Sequence, residues 1–429
     1  MSMERYDALI VGAGVAGLNC ALHLPEEMRV LVVCKGGLKE SDSFLAQGGI
    51  CVLRDKGDFQ GYFEDTMRAG HYENNPFTVR CMIENSRQTI EELIAYGVRF
   101  ARDEKGELKF TREGAHSRPR ILFHADCTGK EITSHLLTAA QKRKNIELRP
   151  HTTMVDLLFS EEGDVCLGAA LAENSTGRLY AVQAGNTVLA TGGVGGLFPH
   201  STNYRILTGD GVGVCLEHEI AVDHADYVQF HPTTLYTKGH GRRFLISESV
   251  RGEGAHLINR EGRRFVDELL PRDAVTAAIR EEMEKEGSDY VRLDLRTVEG
   301  GAETLRTHFP GIVERCREEG YDVFSEPIPV VPAQHYFMGG IRSSLSGRTT
   351  MPHLYAVGET CCNGVHGRNR LASNSLLEAL IFAGRAAEDI VHTGAADGEI
   401  AFDPAAYDVK NIERARKARV RKEIHRERK

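Results

Sequence analysis

The glycine pattern GAGVAG at residues 12–17 constrains the fold of this chain more than any other feature. An apolar run, Tyr6 to Val11, precedes it, a helix-forming stretch follows it to about Leu24, and a second apolar run spans Arg29 to Lys35. In this strand, turn, helix, strand order the glycines permit a tight turn and let a pyrophosphate approach a helix N-terminus. We therefore predict a dinucleotide site in an α/β fold. A glycine-rich turn without a ligand is the alternative.

Two later apolar segments, 187–191 and 354–357, also run into glycine. Ligands of doubly wound sheets bind beyond the carboxyl ends of the strands, so these segments predict one Rossmann-like, nucleotide-binding unit built from both ends of the chain. Ordinary buried strands with glycine turns are the alternative. The stretch between them changes to charged helices, such as Ala274 to Glu286, which predicts an inserted α+β capping domain. The predicted division is therefore 1–224 and 337–401 for the first unit, 225–336 for the insertion, and 402–429 for a short basic tail.

Charge and cysteine usage limit the classes of partner. The formal net charge of -8 offers no general attraction for nucleic acid or anionic lipid, although the segment Glu413 to Lys429 is locally basic. That segment has helical propensity but almost no apolar face, so we expect a weakly held helix. The ten cysteines lack metal-ligand spacing and predict reduced thiols and no metal site. Without a signal peptide or a membrane-length apolar run, we expect a cytoplasmic protein that uses no membrane.

The residues after the second strand indicate which dinucleotide binds. An NAD site normally has a carboxylate at the end of this strand, whereas this chain has Cys34 and Lys35. The lysine leaves NADP open, because it could bind the 2'-phosphate. The small, polar loop Ser41 to Gly49 favours a flavin instead, since it can offer several donors to a phosphate or to the isoalloxazine edge.

Five clusters place cationic or hydrogen-bonding side chains beside glycine or proline turns, where loops present them to ligands. They are 112–117, 229–233, 271–273, 334–336 and 369–375. Taken singly, each Arg or His is more often a structural residue. Taken together, they predict a pocket for a small anion, because arginines bind carboxylates through paired hydrogen bonds. Two arginines and two histidines suit a dicarboxylate.

The sequence resembles the L-aspartate oxidases, a family within the fumarate reductase and succinate dehydrogenase flavoprotein superfamily. The resemblance covers about Tyr6 to Ile390. Longer members continue into a helical C-terminal domain. The shared motifs are GAGVAG (12–17), AQGG (46–49), ATGG (190–193), QFHPT (229–233), RGEGA (251–255), PRD (271–273) and NRLASNSLLEAL (369–380).

The resemblance implies noncovalent FAD as the cofactor. Asp42 stands five residues before the AQGG glutamine, where relatives with covalent flavin have a histidine. The N-terminus of a helix opening at 374–376 would face the flavin; an ordinary N-cap by Ser375 is the alternative. The implied FAD contacts are Gly12, Ala13, Gly14, Val15, Ala16, Gly17, Lys35, Asp42, Ser43, Phe44, Leu45, Ala46, Gln47, Gly48, Gly49, Thr153, Met154, Asp210, Glu359, Ser375 and Leu376.

The resemblance also implies the substrate residues. Those expected to bind the substrate carboxylates are His231, Ser247, His335 and Arg370. Glu113, in the segment 111–126, would face the substrate amino group; a surface ion pair with Arg112 is the alternative. The expected proton-exchanging residue is Arg272, with Glu248 and Arg251 forming a relay behind it.

The implied activity is oxidation of L-aspartate to iminoaspartate, with the α-carbon hydride passing to flavin N5 and oxygen or fumarate as the oxidant. This would be the first step of quinolinate and NAD biosynthesis, with possible handover to quinolinate synthase. The nearest alternative is a soluble fumarate reductase or succinate-oxidising flavoprotein, and Glu113 discriminates between the two. A catalytically silent FAD-binding or RNA-binding protein is a second alternative.

Overall fold

The computed structural model describes residues 3–238 and 241–426. The strands in these ranges are β1 (Glu4–Val11), β2 (Val30–Val33), β3 (Ile50–Cys51), β4 (Phe110–Thr111), β5 (Ile121–Leu122), β6 (Ile146–Arg149), β7 (Thr152–Phe159), β8 (Cys166–Glu173), β9 (Leu179–Leu189), β10 (His200–Ser201), β11 (Val222–Asp223), β12 (Val228–Leu235), β13 (Gly241–Arg242), β14 (His256–Ile258), β15 (Val291–Asp294), β16 (Ile328–Phe337), β17 (Gly340–Arg342), β18 (Leu354–Ala356) and β19 (Cys361–Cys362). The α-helices are α1 (Val15–His23), α2 (Asp42–Leu45), α3 (Phe59–Ala69), α4 (Pro76–Ala95), α5 (Thr128–Lys142), α6 (Asp210–Glu217), α7 (Glu248–Gly252), α8 (Arg272–Glu286), α9 (Gly301–His308), α10 (Pro310–Glu318), α11 (Ser375–Thr393) and α12 (Val409–Arg426).

The main sheet joins strands from distant parts of the chain. Its order is β6-β2-β1-β9-β8-β7, and β18 also pairs with β9. The strands β6, β2, β1, β9 and β18 are mutually parallel, whereas β8 and β7 form an antiparallel extension. Since β18 pairs with residues 187–189 of β9, both glycine-terminated segments belong to the same sheet as the GAGVAG strand, as predicted.

The parallel strands are apolar throughout because helices and strands cover both faces of the sheet. Side chains alternate between the faces: Ile10 packs in the core with α1, α5 and α11, whereas Leu9 and Val11 pack with α6 and α12 on the other face. This arrangement confirms the predicted α/β, Rossmann-like fold class.

The second sheet has its own core. Its order is β13-β10-β16-β15-β14, with β12 paired to β16, and α8 packs on β12. Leu235, Val275, Ile279 and Leu293 belong to this core. One of its strands, β10, comes from residues 200–201, before the predicted insertion. Two smaller sheets, β11-β17-β19 and β3-β5-β4, complete the fold.

The C-terminal helix α12 corrects one prediction. It packs against α6 through Val420 and Ile424, which are each 1% exposed. The buried Arg416 donates to both carboxylate oxygens of Glu217. The expectation of a weakly held helix was wrong because residues 416, 420 and 424, spaced by four, form one narrow buried stripe.

The cysteines, the helices and the metal-ligating side chain types were the basis of the remaining composition-based expectations. All ten cysteines are free thiols. Within residues 3–238 and 241–426 no helix is long and apolar enough to cross a membrane. In the same ranges no group of three or more His, Cys, Asp or Glu side chains is arranged to hold a metal ion.

Candidate active site

One cavity receives most of the predicted site residues, although they lie far apart in the sequence. It extends from the GAGVAG turn at the end of β1 to the segments around α7 and α8. The predicted residues that line it are Gly12, Ala13, Gly14, Val15, Ala16, Lys35, Asp42, Ser43, Leu45, Ala46, Gln47, Gly48, Met154, Asp210, Glu359, Ser375, Leu376, Glu113, His231, Ser247, Glu248, Arg272, His335 and Arg370. Those that do not line it are Gly17, Phe44, Gly49, Thr153 and Arg251.

The residues outside the lining have other contacts. A Cβ atom on Gly17 would lie 1.9 Å from the carbonyl oxygen of Gly12, so Gly17 lets α1 pack against the turn. The Thr153 hydroxyl donates to Asn174 Oδ1 at 2.7 Å, and the neighbouring Thr152 lines the cavity instead. Side chains alternate along a strand, which is why Thr152 and Met154, but not Thr153, face the cavity.

The GAGVAG turn forms one end of the cavity. Gly12 has a φ of 124°, and a Cβ atom there would lie 2.0 Å from the carbonyl oxygen of Ala190. Only glycine fits this position. The first residues of α1 line the cavity, and backbone N–H groups at a helix N-terminus lack partners within the helix. This end of the cavity therefore fits a pyrophosphate.

Several buried polar atoms along the cavity lack hydrogen-bond partners among the described residues. They are Ser41 Oγ, Asp42 Oδ2, Gln47 Oε1 and Asn203 Oδ1. Leaving buried polar groups unpaired is costly, so these atoms fit a ligand with many polar groups, as FAD has. Burial raises the pKa of Asp42, and burial together with the charge of Asp42 raises the pKa of Glu359.

Lys35 bears on the choice between FAD and NADP. Its ammonium group donates to Asp210 at 3.0 Å and to the Thr208 hydroxyl at 3.3 Å. The neighbouring carboxylate compensates the charge of this lysine, which argues against a site built for the 2'-phosphate of NADP.

Two buried arginines, Arg272 and Arg370, face the far end of the cavity. The side-chain oxygen of Gln229 accepts from both, at 2.9 Å from Arg272 and 3.3 Å from Arg370. The Arg370 guanidinium also lies 4.3 Å from the ring centroid of Tyr336 and donates to Ser375 Oγ. In the described ranges Arg370 forms no ion pair. The pocket therefore presents positive charge suited to an anionic ligand.

Two buried histidines stand beside these arginines. The rings of His231 and His335 meet edge to face with centroids 5.1 Å apart. The Nδ1 atom of His335 lies 2.7 Å from the Thr202 hydroxyl, while His231 Nε2 has no partner among the described residues. Burial and the nearby arginine charges hold the pKa of both imidazoles well below the usual value. Both rings are therefore neutral near pH 7 and can serve as polar ligands.

A chain of charges leads from the cavity into the protein. Arg272 Nε donates to Glu248 Oε2 at 2.5 Å, and Arg251 approaches the same oxygen at 3.5 Å. Burial raises the pKa of Glu248, but the charges of Arg272 and Arg251 more than offset burial and hold it below the usual range. Glu248 is thus an ionised carboxylate between two guanidinium groups. The three residues predicted as a relay therefore contact one another in the order Arg272, Glu248, Arg251.

The carboxylate of Glu113 lies near the arginines and is held by two neutral donors. It is 2% exposed, and its two oxygens accept from Ser249 Oγ and Ser373 Oγ, each at 2.6 Å. The alternative of a surface ion pair with Arg112 is wrong because the side chain is buried. Burial and the charge of Glu248 raise the pKa of Glu113, while the two hydroxyls and Arg272 act in the opposite direction.

The N-terminus of α11 lies at the same cavity. The helix begins at Ser375, with Asn374 in the N-cap position. Ser375 Oγ instead accepts from Arg370, so the alternative in which Ser375 is an ordinary N-cap is wrong. The positive end of this long helix can stabilise negative charge on a ligand in the cavity.

Comparison with known proteins agrees with this geometry. Residues 7–376 match the FAD binding domain family. The chain is 51% identical over 385 residues to an L-aspartate oxidase of Clostridium perfringens, covering 90% of this chain and 86% of that protein. An L-aspartate oxidase of Clostridium acetobutylicum is 47% identical over 388 residues, covering 90% and 88%. This chain belongs to the L-aspartate oxidase family.

Members of the L-aspartate oxidase family are FAD proteins of the superfamily that the motifs indicated, and FAD is the cofactor of this chain. A solved structure of quinol-fumarate reductase with menaquinol molecules has a similar fold, with a TM-score of 0.86 and 30% sequence identity. The match covers 98% of this chain and 76% of that chain.

Sequence analysis missed three side chains that hold the predicted site residues. Gln229 was noted only as part of QFHPT, yet its side chain joins Arg272 to Arg370. Ser373 was noted only as part of the cluster 369–375, and Ser249 was not noted. Both lie within two residues of predicted site residues, but which way a serine hydroxyl points depends on the tertiary structure.

Proposed function

We propose that this protein oxidises L-aspartate to iminoaspartate at the cavity between the proposed FAD-binding unit (1–224 and 337–401) and the proposed capping unit (225–336). The observation that carries the proposal is the combination of charges in one cavity. Arg370 and Arg272 suit two carboxylates, and the carboxylate of Glu113, which is held by two serine hydroxyls, suits an ammonium group. The identity to proteins named L-aspartate oxidase supports the same substrate.

Substrate binding is assigned to the buried donors of this cavity. Arg370, which forms no ion pair with the residues that the structure describes, binds one substrate carboxylate in a paired geometry, and Ser247 adds a hydroxyl. His231 and His335, both neutral, complete the carboxylate ligands without adding charge. Holding both carboxylates fixes the substrate carbon chain, so that the Cα–H bond has one orientation.

The substrate ammonium group first releases one proton to water, and a hydrogen then leaves Cα with its electron pair, which gives the protonated C=N bond of iminoaspartate. When bound, FAD accepts the two electrons. Glu113 accepts a hydrogen bond from the amino group and so orients the nitrogen. With fumarate as oxidant, one alkene carbon must receive a proton, and Arg272 delivers it while Glu248 and Arg251 resupply it.

The remaining parts of the proposal concern the cellular setting. Oxygen or fumarate serves as oxidant. Imines hydrolyse in water, which favours rapid handover of iminoaspartate to quinolinate synthase on the route to NAD. The ten free cysteines favour a cytoplasmic location, where thiols stay reduced.

Steady-state oxidation of L-aspartate and succinate by the purified holoenzyme tests the proposal. Iminoaspartate hydrolyses to oxaloacetate and ammonia, so both products should appear in equal amounts with L-aspartate. The value of kcat/KM should be much lower for succinate. Comparable values for the two substrates would favour the alternative, a fumarate reductase or succinate-oxidising flavoprotein.

A further inference from the structure

The Glu113 carboxylate is held by hydroxyl groups from two different parts of the chain. Ser249, in α7, donates to Oε1 at 2.6 Å, and Ser373, in the turn before α11, donates to Oε2 at 2.6 Å. A carboxylate oxygen can accept more than one hydrogen bond. Because Glu113 also lines the cavity, each oxygen retains acceptor capacity for a ligand.

Each serine is itself held by the site. Ser249 Oγ accepts from the hydroxyl of Ser247 at 3.2 Å, and Ser373 Oγ accepts from the backbone N–H of Gly49 at 3.2 Å. Ser373 has a φ of 64°, in the left-handed region that serine seldom adopts. Glycine would adopt this backbone more easily, so the conformation of Ser373 alone does not explain a serine here. Its hydroxyl does.

The groups around Glu113 act on its charge in opposite directions. Burial is the largest cause that raises its pKa, followed by the charge of Glu248. The hydroxyls of Ser249 and Ser373 and the charge of Arg272 lower it. Arg251 and the Cys51 thiol also face this carboxylate. Hydrogen bonds to the ionised form favour that form, so the two serines oppose the effect of burial.

We propose that Ser249 and Ser373 are positioning residues that keep Glu113 ionised and oriented toward the substrate nitrogen, and that they thereby set the preference for an amino dicarboxylate over succinate or fumarate. The inference rests on the proposed function. A protonated Glu113 would carry no charge to attract an ammonium group, whereas the arginine and histidine ligands of the carboxylates would be unaffected. Loss of either hydroxyl therefore penalises L-aspartate and spares fumarate.

The test uses the FAD-loaded enzyme in two assays across pH: kcat/KM for L-aspartate, and the rate of fumarate reduction by enzyme prereduced with dithionite. Ser249→Ala and Ser373→Ala should each lower kcat/KM for L-aspartate by about 10- to 100-fold, the range for a hydrogen bond to a charged group. The acid limb of that pH profile should move to higher pH. Fumarate reduction should change less than about two-fold.

Three further variants separate positioning from simple support of the fold. Ser249→Thr retains a hydroxyl and should restore most of the L-aspartate activity. Ser373→Gly removes the same hydroxyl as Ser373→Ala but relieves the left-handed backbone, so it should lose less thermal stability than Ser373→Ala and lower the preference for L-aspartate to the same extent. Ser86→Ala, the matched control, removes a buried hydroxyl that bonds Ile83 O and lies outside the cavity lining. It should leave the ratio of the two activities unchanged.

The outcomes distinguish this inference from the proposed function. Wild-type enzyme that fails to oxidise L-aspartate overturns both. If the wild type is active, then Ser249→Ala and Ser373→Ala variants with an unchanged ratio and an unmoved acid limb overturn the positioning role alone. Equal losses in the two assays overturn it as well, because they indicate structural support without selection.

Discussion

Replacing Arg370 with Leu should lower the activity strongly without lowering the stability. Arg370 is 6% exposed, and among the described residues its guanidinium hydrogen-bonds the neutral side chains of Gln229 and Ser375, so its charge is available to a substrate carboxylate. Burial and the charge of Arg272 lower its pKa to about 10, which leaves it charged at neutral pH.

The magnitude follows from the burial of that charge. Truncating one partner of a buried, hydrogen-bonded charge pair costs about 2–5 kcal/mol. At about 1.4 kcal/mol per tenfold, kcat/KM for L-aspartate should fall by about 30- to 5,000-fold. The free protein loses two hydrogen bonds of about 1 kcal/mol each but no longer buries an unpaired cation, which costs several kcal/mol. The melting temperature should therefore stay the same or rise.

The assay combines steady-state kinetics with thermal unfolding of the FAD-loaded enzyme. Arg368→Leu is the matched control, since the same change two residues away removes an exposed arginine whose nearest carboxylate, Glu73, lies 3.8 Å away. It should alter kcat/KM less than about two-fold. Near-normal L-aspartate oxidation by Arg370→Leu would refute the carboxylate pocket. A loss of activity matched by a large loss of stability would refute the view that Arg370 is an uncompensated charge.

Four further predictions follow from the same contacts. Acid or heat should release free flavin, because Asp42 has no imidazole nitrogen for a covalent link; yellow colour that stays with the precipitate would contradict this. Glu113→Gln should lower L-aspartate oxidation strongly and leave fumarate reduction by prereduced enzyme unchanged or improved, whereas equal losses would favour a supporting role. The folded protein holds the pKa values of His231 and His335 well below the usual value, so below about pH 6.5 the unfolded chain binds more protons than the folded one. As the pH falls further, the free energy of unfolding should therefore decrease by up to about 1.4 kcal/mol per pH unit for each histidine. Urea titrations at pH 7.5 and 5.5 should show a smaller fall for His231→Gln than for wild type, and equal falls would count against it. Ile424→Ala should destabilise the packing of α12 by about 2–5 kcal/mol, measured by hydrogen exchange in the helix, and unchanged exchange would argue against the buried stripe.

Much of the fold was predictable because its signals are local. The order of strand, GAGVAG and helix requires a parallel unit, and the bounds of β1 and α1 differ from prediction by no more than two residues. The membership of β9 and β18 in the same unit as β1 was also predictable, since both segments run into glycine turns beyond which ligands of such sheets bind. The contribution of β10 to the second sheet was not, because a two-residue strand has no periodicity.

The C-terminal helix α12 shows why the amphipathic pattern alone was insufficient to predict whether a helix packs against the rest of the protein. Periodicity assigns an arginine to the polar face of a helix, whereas Arg416 is buried by pairing with Glu217, far away in the sequence. Only the tertiary structure supplies such a partner, and with it the short stripe of Val420 and Ile424 becomes sufficient to hold α12.

The residue types of the candidate site were predictable from the sequence, but the hydrogen bonds that join the site residues were not. Arginine and histidine beside glycine and proline turns indicate an anion pocket, and the cavity brings them together. Four hydrogen bonds make these connections: two from the arginines to the side-chain oxygen of Gln229, and one each from Ser249 and Ser373 to Glu113. Three of the four join residues more than one hundred positions apart in the sequence. No local pattern encodes them.

The most direct test of the proposed function is an anaerobic titration of the purified, yellow enzyme with L-aspartate and, in parallel, with succinate. Our account predicts that L-aspartate bleaches the flavin absorbance stoichiometrically and that succinate at the same concentrations bleaches it little. Bleaching by succinate at equal or lower concentration, or no bleaching by L-aspartate, would contradict it.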